Sequence, residues 1–311
     1  MENNASKIEI TKDLFEVIGV DSSDAEKISR PSMTYLQDAW RRFKQNKLAL
    51  FSAALLIVII LMTLIGPSLS PHDFDYINGD IKNSVPSAEF WFGTDDLGRD
   101  IFSRVWMGGR VSIAIGLCCT AIMAIVGSIY GGIAGYFGGL IDNIMMRLVE
   151  IISSMPYLVL VILISLIFGK EIKWLILAMS LTSWCGTSRL VRGQLLQVRE
   201  QEFVLASQSL GASPTRVIAK HLLPNALGVL LVDITLSVPG FIFSEAFLSY
   251  IGLGVQSPNT SWGAMASQAQ GQIMFYPHEL FFPCLLISLV MFCFQMLGDG
   301  LNDALDPRLR Q

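Results

Sequence analysis

Acidic and hydroxyl side chains inside an apolar segment are the residues of this sequence best placed for chemistry within a membrane. Asp233 and Ser237 fall in the apolar stretch 226–248. Glu245 lies near its end. A carboxylate at the centre of a bilayer costs about 2.5–3.5 kcal/mol on insertion scales, so it normally faces protein or a water-filled path. The three residues are therefore candidates for lining such a path, and for Asp233 a packing role, hydrogen-bonded near Thr235 and Ser237, is equally favoured.

The remaining polar residues indicate neither catalysis nor metal binding. The spacing of Gly93 and Gly98 suggests a phosphate-binding loop, but Arg99 and Asp100 stand where that motif requires Lys and Ser or Thr. The 5 cysteines lie in apolar runs and the 3 histidines are scattered. We predict no catalytic residue, no metal site and no cofactor in this chain, and hence no enzyme. No basic cluster indicates a nucleic-acid partner.

Composition predicts an integral membrane protein. Charged residues make up 15% of the chain and hydrophobic residues 52%, whereas soluble domains carry about 25% charged residues. A transmembrane helix needs about 20 mostly apolar residues. The segments that approach this length are 48–70, 111–136, 145–168, 174–188, 226–248 and 280–297. The fold class predicted is all-α, with six transmembrane helices.

The chain is expected to divide into segments on the two sides of a membrane. The predicted parts are a cytoplasmic N-terminal segment 1–32, an interfacial amphipathic helix 33–47, a first transmembrane helix 48–70, an extracytoplasmic loop 71–110, a five-helix core 111–300 and a cytoplasmic tail 301–311. Basic residues crowd before the first apolar segment and between the fourth and fifth, which places both regions inside. Both termini are then cytoplasmic. A solvated linker is the alternative for 33–47.

A glycine stripe marks the second apolar segment. Gly127, Gly131, Gly135 and Gly139 recur every fourth residue, about one helical turn, so a neighbouring helix can approach closely along them. The stripe favours helix packing, either between subunits or within one subunit.

The polar segment 199–224 has its own helical pattern. Residues 199–210 fit one short helix that ends at Gly211, as helices commonly do. Ser213 and Pro214 fit the cap and first position of a second helix. That helix is expected to run to Leu223, with Pro224 opening the fifth apolar segment. Two short helices joined at a glycine form a rigid knob that can transmit movement from a partner outside the membrane.

This segment resembles the cytoplasmic coupling loop of ABC importer permeases. The residues that match or nearly match the family pattern are Ala206, Ser207, Gly211, Leu223 and Pro224. Leu205 stands where the family usually has Glu, and Glu202, one turn earlier, is the candidate substitute. The stretches FGTDDLGRDIFSR, GGIAGYFGG, EAFLSYIGLG and LGDGLNDALDPRLR resemble the C-type subunit of dipeptide and oligopeptide importers.

The resemblance implies a type I ABC importer permease fold in a bacterial cytoplasmic membrane. It also implies a homologous B-type permease subunit, two ABC ATPase subunits that use ATP and Mg, and an extracytoplasmic peptide-binding protein as partners, with the lipid bilayer around them. The residues expected to couple to the ATPases are Glu202, Leu205, Ala206, Ser207, Gly211, Ala212, Leu223 and Pro224.

Two other functions remain open from the sequence. The same kind of importer can carry nickel, haem or another small solute, and one subunit does not identify the cargo. A secondary transporter with Asp233 as its ion site is a more distant alternative, because such proteins often contain an internal repeat and this sequence has none that we recognise.

Overall fold

Long apolar runs bounded by polar capping residues produce the main helices of the protein. The computed structural model describes residues 35–305, which form α-helices, short helical turns and the loops between them, without a β-strand. The predicted segment 1–32 and residues 306–311 of the predicted tail lie outside this range. The helices are α1 Tyr35–Gln45, α2 Lys47–Leu69, α3 Ile101–Phe137, α4 Gly139–Ser153, α5 Tyr157–Phe168, α6 Ile172–Arg199, α7 Glu202–Ser209, α8 Pro214–Val217, α9 Leu223–Tyr250, α10 Trp262–Ala269 and α11 Pro277–Leu305.

Two caps show why the first long helices begin where they do. The Asn46 side chain accepts a hydrogen bond from Ala49 N at 3.1 Å and starts α2 at Lys47, close to the predicted residue 48. Asp100 accepts from Phe102 N and Ser103 N, each at 3.2 Å, and starts α3. Helix α3 therefore begins inside the predicted extracytoplasmic loop 71–110, because hydropathy marks where a helix enters lipid and a cap marks where it begins.

The membrane-crossing helices only partly follow the predicted six. Within residues 35–305, four helices are long and apolar enough to cross a membrane: α2, α3, the continuous helix Pro214–Tyr250, and α11. Helices α4 and α5 meet at 77° and count as a fifth span only if the bent pair is taken as one. The predicted segment 145–168 is therefore bent rather than one continuous helix, because Pro156 stands at the break and cannot continue α4.

Other helices also begin or end at residues that differ from the predicted ones. The predicted segment 174–188 is the apolar part of the longer helix α6, whose polar end reaches Arg199. Helix α11 continues to Leu305, so the tail predicted from residue 301 begins as helix. Pro239 lies inside α9 without breaking it, since the helix runs on to Tyr250. The count of six spans stays a prediction.

The largest buried cluster joins α2, α3, α9, α10 and α11. Ile59, Val105, Ile242 and Val290 are buried there around Trp262, whose ring is fully enclosed. The indole Nε1 of Trp262 donates to the carbonyl oxygen of Val105 at 2.8 Å, which satisfies its one polar atom. Helix α10 is thereby fixed against α3.

The glycine stripe packs α3 directly on α6. A Cβ at Gly127 would lie 2.7 Å from the Cβ of Thr187, and one at Gly135 would lie 2.9 Å from the Cβ of Leu195. At Gly131 it would lie 2.3 Å from the carbonyl oxygen of Ser188. These three glycines therefore serve packing within the subunit. Gly139 does not belong to the stripe, because it begins α4 at φ +56° and has open space around it.

The close contact between α3 and α6 predicts that a larger residue at Gly131 destabilises the protein. Gly131→Ala puts a methyl group against backbone that cannot rotate away, so we expect a loss of about 1–3 kcal/mol in stability. Gly193→Ala is the matched control, because its Cβ meets nothing within 4 Å and alanine favours a helix. Thermal unfolding of the two variants in detergent measures the difference. Equal melting temperatures would contradict close packing at Gly131.

Candidate functional site

The segment between α6 and α9 folds into the predicted knob, which we define as residues 202–222. Its first helix, α7, begins at Glu202 and ends in a turn at Gly211, which has φ +79°. Ala212 N donates to Ser207 O at 3.1 Å and Gly211 N to Gln208 O at 2.9 Å. This pair of bonds is the Schellman ending, which needs a left-handed residue. A Cβ at Gly211 would meet nothing within 4 Å, so backbone conformation alone calls for glycine.

The second helix of the knob is continuous with a membrane span. Ser213 caps α8 by accepting from Arg216 N at 3.4 Å, and Pro214 takes the first position, as predicted. A π-helical turn over Ile218–Leu222 then leads without interruption into α9. Pro224 thus stands in the first turn of α9, as predicted, but the chain runs from α8 into α9 without a break. The wider turn accommodates a proline that has no N–H to donate.

Side-chain packing makes the knob rigid. Val204, Val217 and Leu222 are fully buried in a cluster with Leu195 of α6. The Ser207 hydroxyl lies 3.3 Å from His221 Nε2 and links the two arms of the knob. Ala212 and Leu223 also pack against this cluster. The knob is therefore fixed both to the end of α6 and to the start of α9.

Three large apolar side chains of the knob are exposed. Leu210 is 88% exposed, Leu205 49% and Phe203 42%. Glu202, Ala206 and Pro224 are exposed as well. Leu205 stands at the position where the resemblance expects Glu, so an apolar side chain is exposed there. Phe203 and Leu210, the C-cap residue of α7, are seven residues apart and share one face of that helix, and apolar side chains exposed together are typical of a protein contact.

Two arginines of α6, the helix that leads into the knob, hold that helix to α3 and α4. Arg192 forms a paired hydrogen-bonded contact with Asp142 of α4, whose side chain is buried. Arg199 donates from Nη1 to the carbonyl oxygens of Gly135 and Tyr136 at 3.3 and 3.4 Å. These are among the last carbonyls of α3, which lack helical partners. The sequence prediction missed both arginines, because their partners lie 50 or more residues away in the chain.

Asp233 bridges two helices in the middle of the subunit. It accepts a hydrogen bond from Thr187 Oγ1 of α6 at 2.7 Å and remains half-buried, as does Ser237. Its partner is thus Thr187 rather than the nearby Thr235, whose hydroxyl donates to Leu231 O at 2.8 Å. Asp233 therefore joins α6 to α9 while part of its side chain stays exposed.

Glu245 is fully enclosed in this structure rather than open to a cavity. It accepts from Ser249 at 2.7 Å and Ser261 at 2.6 Å through Oε1, and from Ser112 at 3.1 Å through Oε2. The Ser112 and Ser261 hydroxyls in turn accept from Trp262 N and Ala264 N at the start of α10. Glu245 therefore holds α3, α9 and α10 together.

This arrangement has counterparts among known proteins. Residues 127–311, which include the knob, match the model of the family described as binding-protein-dependent transport system inner membrane component. The chain belongs to this permease family. Residues 34–86 match the model described as the N-terminal TM domain of oligopeptide transport permease C. The chain is accordingly a C-type ABC importer permease.

Two relatives extend over nearly the whole permease. A dipeptide transport system permease protein of Bacillus subtilis is 48% identical over 93% of this chain and 90% of its own length. An oligopeptide transport system permease protein of the same organism is 47% identical over 97% and 99%. A solved structure of the inward-facing MetNI methionine ABC transporter superposes with a TM-score of 0.53 at 20% identity, over 65% of this permease and 97% of that chain. That likeness confirms the importer permease fold.

The enclosed position of Glu245 predicts a stability effect. Glu245→Ala removes the acceptor shared by three hydroxyls and leaves a cavity, so we expect a loss of about 2–5 kcal/mol. Glu245→Gln keeps an oxygen for Ser249 and Ser261 and should cost less. Thermal unfolding of both variants checks this order. An alanine variant as stable as the original would show that the network does not hold the helices.

Proposed function

We propose that this permease imports dipeptides or oligopeptides into the cytoplasm by alternating access, driven by ATP hydrolysis in partner subunits. The peptide cargo is supported by the names of its relatives, which are described as dipeptide and oligopeptide permeases at 48% and 47% identity. The observation that carries the coupling mechanism is the rigid knob with exposed apolar side chains.

The proposed assembly has a homologous B-type permease, two ABC ATPase subunits and an extracytoplasmic peptide-binding protein. ATP and Mg are proposed to bind in the ATPases, and we expect this chain to supply no catalytic residue, metal ligand or phosphate-binding loop. The permease lies in the bacterial cytoplasmic membrane with both termini inside, so that the knob faces the ATPases. The arginine-rich end of α6 supports this orientation.

Movement of the knob would reach the spans through two connections. The π-helical turn Ile218–Leu222 joins the knob directly to α9. Arg199 joins the other end to the last turn of α3. When ATP binding draws the ATPases together, a push on Leu205 and Leu210 is passed to both helices, because the buried cluster between them resists deformation. The path then opens outward, and hydrolysis resets it.

Purification of a tagged permease from its native membrane in mild detergent tests the assembly. The proposal predicts that a second permease of similar size, two ATPases and a binding protein accompany it, and that the reconstituted complex takes up peptide only with ATP. A chain that purifies alone and transports without ATP would contradict it.

Gly211 tests coupling through the knob. Gly211→Val forces a β-branched residue into the left-handed region, which costs about 1–2 kcal/mol and distorts the turn. We expect normal amounts of membrane protein but loss of ATP-driven uptake. Gly211→Asn is the matched control, since asparagine tolerates this conformation, and should retain most uptake. Normal uptake by the valine variant would rule out the coupling role.

Asp233 tests the translocation path. In Asp233→Asn the amide oxygen still accepts from Thr187, so folding should be unchanged while loss of the charge lowers uptake. Asp233→Leu removes both and should lower uptake further. Uptake assays at matched membrane abundance measure the effect. Unchanged uptake together with higher thermal stability in Asp233→Leu would instead support a packing role.

A further inference from the structure

Helix α1 presents two unlike faces. Ala39 and Phe43 are each 8% exposed, and Phe43 packs with Ala49 of α2 and Ala304 of α11. Trp40 lies one position from this buried face and is 57% exposed. One side of α1 is therefore held by the subunit, and the side with Trp40 is uncovered in the subunit.

Basic residues follow the exposed tryptophan in the sequence, and one of them lies over its ring. Arg41, Lys44 and Lys47 are all exposed, and the Lys44 ammonium lies 5.2 Å from the centre of the Trp40 ring. Arg42 adds a fourth base within seven residues of sequence, and Asp38 is the one acidic residue of the helix. A tryptophan flanked by long basic side chains can place its ring among acyl chains while the charges stay in the headgroup layer.

The position of this face relative to the bilayer is set by α2. Only Asn46 separates α1 from the span that begins at Lys47. The Trp40 face therefore lies at the membrane boundary, within reach of lipid headgroups. Clusters of four or more Lys and Arg immediately beside a transmembrane helix are attracted to anionic lipids.

We propose that Trp40, Arg41, Lys44 and Lys47 form a binding surface for anionic phospholipid headgroups. Charge complementarity selects an anionic lipid over a zwitterionic one, and the exposed indole selects a membrane over a soluble partner. This proposal goes beyond the transport function and does not depend on the cargo.

The lipid contact would also affect the end of α11. A Cβ at Gly300 would lie 2.4 Å from the Cβ of Ala49 and 3.6 Å from the Phe43 ring. No gap separates these elements, so α1, the start of α2 and the end of α11 must shift together. An anionic leaflet that holds α1 thereby restrains α11 at the same membrane face.

Tryptophan quenching measures the contact directly. The full chain is placed in phosphatidylcholine nanodiscs that contain a small fraction of brominated phosphatidylglycerol or, separately, brominated phosphatidylcholine. Quenching is measured for the original protein and for Trp40→Phe, and the difference between them is the contribution of Trp40. We expect stronger quenching by the anionic lipid, with the preference falling about fivefold for each base removed at low salt and weakening in high salt.

The variants separate specific binding from a general loss of charge. Arg41→Gln/Lys44→Gln/Lys47→Gln should remove the preference, and Arg41→Lys/Lys44→Arg/Lys47→Arg should retain it. Arg147→Gln/Lys173→Gln is the control, because those bases already pair with Glu150 and Glu171 at 2.7 and 2.6 Å. Equal quenching by both lipids would overturn the proposal, as would a Trp40 that neither lipid quenches. Since no step requires transport, failure here leaves the importer function untouched.

Discussion

The close approach of α3 and α6 along Gly127, Gly131 and Gly135 is the contact on which the rest of the subunit depends. Because no side chain separates the two backbones, the polar end of α6 comes within reach of the last carbonyls of α3. Arg199 and Arg192 can then bond to α3 and α4. A wider spacing would leave a buried carboxylate and the helix end without partners, which is costly in a low-dielectric interior.

This packing provides a rigid support for the knob. A loop joined to flexible ends would absorb a push from a partner, whereas this one is bonded to α3 at one end and continuous with α9 at the other. The network around Glu245 fixes α10 to the same two helices further along the span. Helices α3, α9 and α10 are therefore held together, and under the proposed mechanism they would move as one body.

Local patterns predicted the parts of this fold that depend on local causes. The helix ends at Ser213, Pro214 and Gly211 were predictable because each of these residue types suits one backbone conformation. The apolar runs predicted α2 and α11. Non-local contacts were not predictable. The partner of Asp142 is 50 residues away, and the three serines around Glu245 come from three elements. The break at Pro156 and the early start of α3 were missed because hydropathy reports lipid contact rather than helix boundaries.

Site-specific photocrosslinking from Leu210 tests the central claim most directly, namely that the knob docks on an ATPase. Leu210 is 88% exposed, and Met274, which precedes α11, is a matched control at 87%. The account predicts that a photoreactive residue at 210 crosslinks to an ATPase subunit in native membranes, in a yield that changes with nucleotide. The same residue at 274 should not reach the ATPase. Crosslinking from 210 to lipid alone, or ATPase crosslinks of equal yield from both positions, would contradict the account.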